Sequence, residues 1–253
     1  MEEAGEKRYI LNSVDNALSI LNLFFDYEEL GTNEISRLIG ISRSTAFRFM
    51  VTLESRGFVT KTPYGKYRLG LNLFSLGMLA YNRMELVSLL HPHLARIAEQ
   101  SGETCHLSIL DDGVHVRFID KALGSAQLKM DTALGYRHYA HNTAGGKAIL
   151  AFQSEQQVNQ YLRKASFEAV TSNSIPDAGA LLAYLDQVRT DGYACDNEEA
   201  ELGLTCFARP LLDATGRAYA AVSISGPSTR MRRNQAQHLA ALKDVIQLAV
   251  AGG

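Results

Sequence analysis

The stretch TNEISRLIGISRSTAFRFMVTLESRGF, residues 32–58, constrains this chain more than any other, because it reads as two helices joined by a short turn. After Thr32 as a cap, Ile35, Leu38 and Ile39 share one face of the first helix. Gly40 stops that helix and Ser42 offers a fresh N-cap. In the second, Ala46, Phe49, Met50 and Leu53 fall at i, i+3, i+4 and i+7 and form one buried stripe. Ser44, Arg48, Thr52 and Ser55 stand opposite it, with Arg43 and Thr45 flanking them at the N-terminal end. This pattern suits the second helix of a helix-turn-helix: Arg forks onto guanine edges or phosphates, and hydroxyls reach phosphates or bases. Two amphipathic helices separated by a glycine also occur in domains that never meet DNA, so the flanks decide.

They favour DNA. Val14, Ala17, Leu18, Leu21, Phe24 and Phe25 predict a preceding helix that ends near Tyr27. After Gly57, FVTKT, the turn PYGK and YRLG predict a β-hairpin. Helix, helix-turn-helix, hairpin is the order of a winged helix, with Lys61 and Lys66 on the wing for phosphate contacts. The net charge of −2 looks wrong for a DNA binder, but between Leu30 and Gly70 seven cations face only Glu34 and Glu54. It is the distribution of charge that marks a phosphate-binding surface.

At 253 residues, with 46% hydrophobic and 21% charged residues, the chain has room for two well-cored domains. No apolar run approaches the roughly 18 residues of a membrane span, and MEEAGEKRYI lacks an apolar leader segment. Three cysteines (Cys105, Cys195, Cys206) without a CxxC predict reduced thiols and a cytoplasmic setting. Residues 1–8 read as a solvated tail. The expected division is a winged helix-turn-helix over residues 9–70, a linker helix within 71–84 and an α+β domain with a mostly antiparallel sheet over 85–253. The linker LNLFSLGMLAY is apolar on more than one face, as in a helix packed against the second domain or a partner subunit. A tail helix carries Leu239, Leu242, Ile246 and Ala249.

The second domain holds a candidate ligand pocket. Along AVSIS, Ser223 and Ser225 point one way while Val222 and Ile224 point the other. Leu204, Cys206 and Ala208 share a face of the neighbouring strand. A helix starting at Thr143, with Ala144, Gly145 and Gly146 at its N-terminus, offers amide groups to a carboxylate or phosphate. Asp196 follows the strand GYACD and can accept from a ligand hydroxyl or orient a donor. Each feature alone occurs in proteins that bind nothing; together they outline a pocket.

The segments SVDNALSIL, ISRSTAFRFMVTLESRGFV, YRLG, SGET, HNTAGGKAILA, GYACDNEEAELGLTC and AVSISGPSTR resemble the IclR family of transcriptional regulators over roughly Val14–Val250. The resemblance implies a winged helix-turn-helix, a linker helix and an effector domain related to GAF and PAS folds. It implies dimers or dimers of dimers on palindromic promoter DNA, with repression the expected direction. It also implies a small carboxylate effector held where this chain has Met130, Ala144, Gly145, Asp196, Leu204, Cys206, Ser223 and Ser225. Arg209, Gly145-Gly146 and the polar Gln127, which stands where an apolar wall is expected, depart from the family pattern.

Other chemistries are poorly supported. GGKA lacks the P-loop glycine, position 141 being His141, and Ala148 follows Lys147. There is no GxSxG and no HExxH. The pairs His91/His93 and His138/His141 have no Cys at zinc spacing, so no metal and no cofactor is expected. Asp196, Glu198 and Glu199 could serve acid–base work, yet carboxylates clustered after a strand usually cap or face solvent. The competing reading is an enzyme acting on a small carboxylic acid with Cys206 as nucleophile; it needs a base that the sequence does not identify.

Overall fold

The computed structural model describes residues 9–251, with side chains through residue 244. Residues 1–8 and the side chains of Ile246 and Ala249 lie outside what is described. Contacts divide the chain into two compact units between Arg83 and Met84.

The first unit runs α1 (Asn12–Asn22), a single 3-10 turn (Leu23–Phe25), α2 (Thr32–Ile39), α3 (Arg43–Ser55), β1 (Val59–Lys61), β2 (Tyr67–Leu69) and α4 (Leu71–Tyr81). Its core joins Ile20, Leu30, Ile35, Ala46, Met50, Leu53, Val59 and Tyr67. Gly40 closes α2 in the left-handed region (φ 77°), which costs glycine nothing. The Ser42 hydroxyl then accepts from the Thr45 amide at 3.1 Å to open α3. β1 and β2 pair antiparallel, Thr60 opposite Arg68, and the Leu30–Tyr67 bridge ties the hairpin to the segment before α2.

Several expectations need correction. Thr32 is the first helical residue and not the cap; Gly31 caps α2, its amide donating to Glu34 Oε2 at 2.7 Å. Leu38 is exposed, so Ile35 and Ile39 alone carry the buried face of α2. α1 ends at Asn22, and its buried residue is Ile20, with Leu21 and Phe24 partly covered; Val14, Leu18 and Phe25 are exposed. None of the residues of α4 is buried, Leu71 and Phe74 least of all.

The second unit runs α5 (Glu85–Ser101), β3 (Thr104–Asp111), β4 (His115–Ala122), β5 (Arg137–Tyr139), a 3-10 turn (Ala140–Asn142), α6 (Ala144–Ala151), α7 (Glu155–Lys164), α8 (Ala178–Asp191), β6 (Ala194–Asn197), β7 (Leu204–Leu212), β8 (Ala218–Pro227), α9 (Ser228–Arg233) and α10 (Gln235–Ala251). Six strands form one antiparallel sheet in the order β5-β4-β3-β8-β7-β6. Asp112 and Gly113 both take positive φ between β3 and β4, the geometry of a tight hairpin turn. One sheet face, with Cys206, Ala208 and Ala221, packs on α6, α7 and α8. α5 and α10 pack against β3, β4, β7 and β8. α6 lies close to the sheet: a methyl on Gly146 would collide with the Ala140 carbonyl, and one on Gly145 would press on Ser108. These glycines therefore serve close packing, a structural reason for the run that departs from the family pattern.

Candidate functional site

On the first unit, the buried stripe of α3 turns the opposite side outward. Arg43, Ser44, Arg48 and Thr52 are exposed and Thr45 is half-buried. Among the described residues neither the Arg43 nor the Arg48 guanidinium has a protein partner, so both are available to an anion. The hydroxyls are partly engaged: Ser42 lies within 2.9 Å of Ser44 Oγ and 2.8 Å of Thr45 Oγ1, and Thr52 donates to the Arg48 carbonyl at 2.9 Å. Lys61 is exposed on the wing, its ammonium 5.8 Å from the centre of the Tyr67 ring. Lys66 faces Glu34 at 3.8 Å, an exposed pair worth little. Sequence reasoning passed over Phe47 and Val51, which stand exposed on α3 beside Ser44 and Arg48. An aromatic residue on the polar side of a helical wheel was the available signal, and a thymine methyl is the contact such a residue makes in DNA.

In the second unit Met130, Ala144, Gly145, Asp196, Leu204, Cys206, Ser223 and Ser225 all line one cavity, together with Phe118, His138, Thr143 and Ala200. Strand pairing explains the convergence. Cys206 sits opposite both Asp196 and Ser225, so β6, β7 and β8 present the three side chains from one face. The enclosed space is about 30 Å³, enough for a water or two as the side chains stand. Met130 and Leu204 also border an open groove formed by residues 128–132, 201–204 and Pro227, which gives the cavity an outer vestibule. Gln127 is exposed and forms no part of the wall. Arg209 points away, its guanidinium donating to the Gly192 carbonyl at 2.9 Å.

The α6 N-terminus opens on this space with fewer amides than its glycines suggest. Thr143 caps the helix by accepting from the Gly146 amide at 3.0 Å, which leaves Ala144 and Gly145 to offer their N–H groups. Asp196 is buried and accepts from the Glu199 amide at 2.8 Å. Burial pushes its carboxyl up to about 6; Lys147 opposes this and Glu199 adds to it. Lys147, fully buried on α6, is paired with Glu199 and lies 4.7 Å from the centre of the Tyr184 ring. No local pattern signals that pair, whose members lie 52 positions apart. Burial, with Asp196 adding to it, holds the Cys206 thiol well above its ordinary range. A thiol so placed resists becoming the thiolate that nucleophilic chemistry requires. His141 is bonded to Tyr161, and His91 to Asp120 at 2.9 Å. The assembly can hold a small anion by two amides and two hydroxyls, with Met130, Leu204 and Phe118 covering its apolar part.

Comparisons with known proteins agree on one family. The model described as "Bacterial transcriptional regulator IclR C-terminal" matches residues 78–249, and "IclR helix-turn-helix domain" matches residues 13–63. The chain is 34% identical to the HTH-type transcriptional regulator KdgR of Escherichia coli K12, over 92% of this chain and 88% of KdgR. It is 31% identical to the transcriptional repressor IclR of the same organism, over 83% of this chain and 77% of the repressor. Among solved structures, an IclR transcriptional regulator from Alicyclobacillus acidocaldarius superposes with a TM-score of 0.83 at 25% identity, covering 97% of this chain and all of that one (100%).

Proposed function

The chain belongs to the IclR family of bacterial transcriptional regulators, and from that premise we propose that it represses transcription from a promoter whose DNA it grips through α3 and the wing, and that a small carboxylate in the second unit relieves that grip. The observation that carries the effector reading is the cavity itself: amides of Ala144 and Gly145, the hydroxyls of Ser223 and Ser225 and the buried Asp196 converge on one small space. In this reading Arg43, Ser44, Thr45, Arg48 and Thr52 contact the major groove, while Lys61 and Lys66 contact phosphates. The related repressor of E. coli supports repression over activation. The working form is a homodimer or a dimer of dimers, in which apolar positions left bare on α1 and α4, including Val14, Leu18, Leu71 and Phe74, meet a second copy. The expected location is the cytoplasm, and no helix among the described residues is long and apolar enough to cross a membrane.

A mobility shift with the chain's own upstream promoter, titrated with small carboxylates at fixed salt, tests the whole reading. A specific shift weakened by one acid is the expected result. Since coupling between sites is reciprocal, operator DNA must then weaken that acid's binding by the same factor. Absence of any specific shift at moderate salt would overturn the DNA reading. Ser223→Ala/Ser225→Ala removes two hydroxyl partners and is expected to lower the acid's affinity by about a hundredfold or more, each lost hydrogen bond to a charged group being worth about 1.5 kcal/mol or more. DNA affinity without acid reports whether this variant folds, and an unaltered acid response would remove the serines from the site.

Asp196 sets the pH dependence. When ionised it repels an incoming carboxylate, and its carboxyl titrates near 6. Affinity for an acid that stays ionised throughout is therefore highest below pH 6 and falls above it, by up to about tenfold per pH unit. Calorimetric titrations at pH 5 to 8 are expected to show this slope in the wild type and a flat profile in Asp196→Asn. A slope that survives in Asp196→Asn would assign the titration to another group.

A further inference from the structure

The centre of the sheet carries an imidazole that the site described above does not use. His106, in β3, is fully buried, and among the described residues neither of its ring nitrogens has a hydrogen-bond partner. It pairs directly opposite Ser223 of β8, so both side chains project from one face of the sheet. Ser223 lines the cavity. The His106 ring lies 4.9 Å from that of Phe118, which belongs to the cavity wall and lies in turn 5.8 Å from His138. His106 thus stands one side chain behind the wall, next in line after Ser223.

Buried polar atoms are almost always paired, and an imidazole with two unpaired nitrogens in a close-packed core is costly to keep. Burial, with Lys121 pushing the same way, lowers the His106 pKa to about 4, so near neutral pH the ring is uncharged and presents one donor and one acceptor. That pair of roles matches a hydroxyl group. It does not match a second carboxylate, which an uncharged ring inside a core would leave without a counter-charge. Neighbouring strands are about 4.8 Å apart, so a chain of about three carbons bridges from Ser223 to His106. Met130, unbranched and half-buried, is the kind of side chain that yields space readily.

We propose that His106 is the far anchor of the effector: the acid's carboxylate rests against Ser223, Ser225 and the amides of Ala144 and Gly145, and a hydroxyl at its other end bonds the His106 ring when Phe118 or Met130 turns aside. This rests on the effector reading given above and narrows it to hydroxylated acids.

Two matched pairs of acids, each differing by one terminal hydroxyl, test it by calorimetry on the full chain: pyruvate with hydroxypyruvate, and butyrate with 4-hydroxybutyrate. In at least one pair the hydroxylated acid is expected to bind the wild type tenfold or more tightly than its partner, and in His106→Leu both members bind alike. Nitrogen-15 spectra of the histidine rings supply a readout in the wild type that does not depend on the variant folding. Hydroxylated acid is expected to shift a His106 ring nitrogen that its plain partner leaves in place. Equal affinities within each pair, or a His106 signal that no acid moves, would overturn the proposal and leave the ring to an internal water. Should none of the four acids bind, the effector reading falls and this inference falls with it; binding without discrimination removes this inference alone.

Discussion

Replacing Arg48 with alanine is expected to weaken operator binding by about 1–3 kcal/mol at each half-site, roughly five- to 150-fold, when measured by mobility shift at fixed salt. The argument is geometric. Ser42 opens α3, and Ala46, Met50 and Leu53 fix its rotation by burying one side, so Arg48 one turn into the helix must face away from the core. Its guanidinium has no protein partner among the described residues, so the substitution removes no internal contact and should leave folding within about 0.5 kcal/mol. A dimer carries the change in both half-sites, and the losses combine. The salt dependence separates two roles: if Arg48 holds a phosphate, all sequences lose equally and the slope becomes shallower by about one unit per site; if it reads a base, discrimination at one position relaxes. Lys66→Ala serves as the contrast, because Lys66 is already shared with Glu34 and should lose far less. An Arg48→Ala protein with full operator affinity would move the recognition surface off this face of α3.

The second large effect is on stability. Lys147→Met is expected to destabilise the second unit by about 3–5 kcal/mol in urea unfolding, a large part of the 5–15 kcal/mol that holds typical domains together. Lys147 is fully buried, and its partner Glu199 nearly so. The lysine also supplies the attraction that opposes the upward shift of Asp196. Methionine fills similar space without the charge, leaving two carboxyl groups in a core with no cation. The cost arises from the uncompensated charge and not from the value of the pair, so removing both partners in Lys147→Met/Glu199→Leu should restore most of the loss. A single variant as stable as the wild type, or a double variant no better than the single, would show that the region tolerates these charges by other means.

How much of this was readable in advance depended on whether the governing contacts were local. The second helix of the DNA-binding motif has a strict period, a serine cap and a polar outer side, all within fifteen residues, and α3 follows that pattern closely. Strand alternation brought Cys206, Ser223 and Ser225 to one face, because period two is a property of the strand itself. Periodicity could not say what an apolar stripe packs against. Val14 and Leu18 continue the stripe of α1 but stay exposed, and α4 is apolar on several sides yet buries none of them. In the proposed dimer these are the positions that a second chain would cover. Thr32 and Gly31 differ as caps by one residue, a distinction made by the Glu34 side chain reaching back. The strand Arg137–Tyr139 is too short to show a pattern. Lys147 with Glu199, and His106 opposite Ser223, depend on pairings between distant parts of the chain, which no local pattern carries.

The cavity is built from two kinds of material. One end is secondary structure packed into the core: the α6 terminus, pinned against Ser108 and Ala140, and the strands bearing Cys206, Ser223 and Ser225. The other end is Met130 on an irregular segment and Leu204 at the tip of β7, both facing the vestibule. A change at the first end disturbs the core, while a change at the second alters only what is admitted. A laboratory wishing to turn this protein into a sensor for a different acid should therefore leave the anchor alone and randomise residues 128–132 and 201–204. Variants from such a library would keep the carboxylate anchor and the His106 contact while differing in the bulk they admit past Met130 and Leu204.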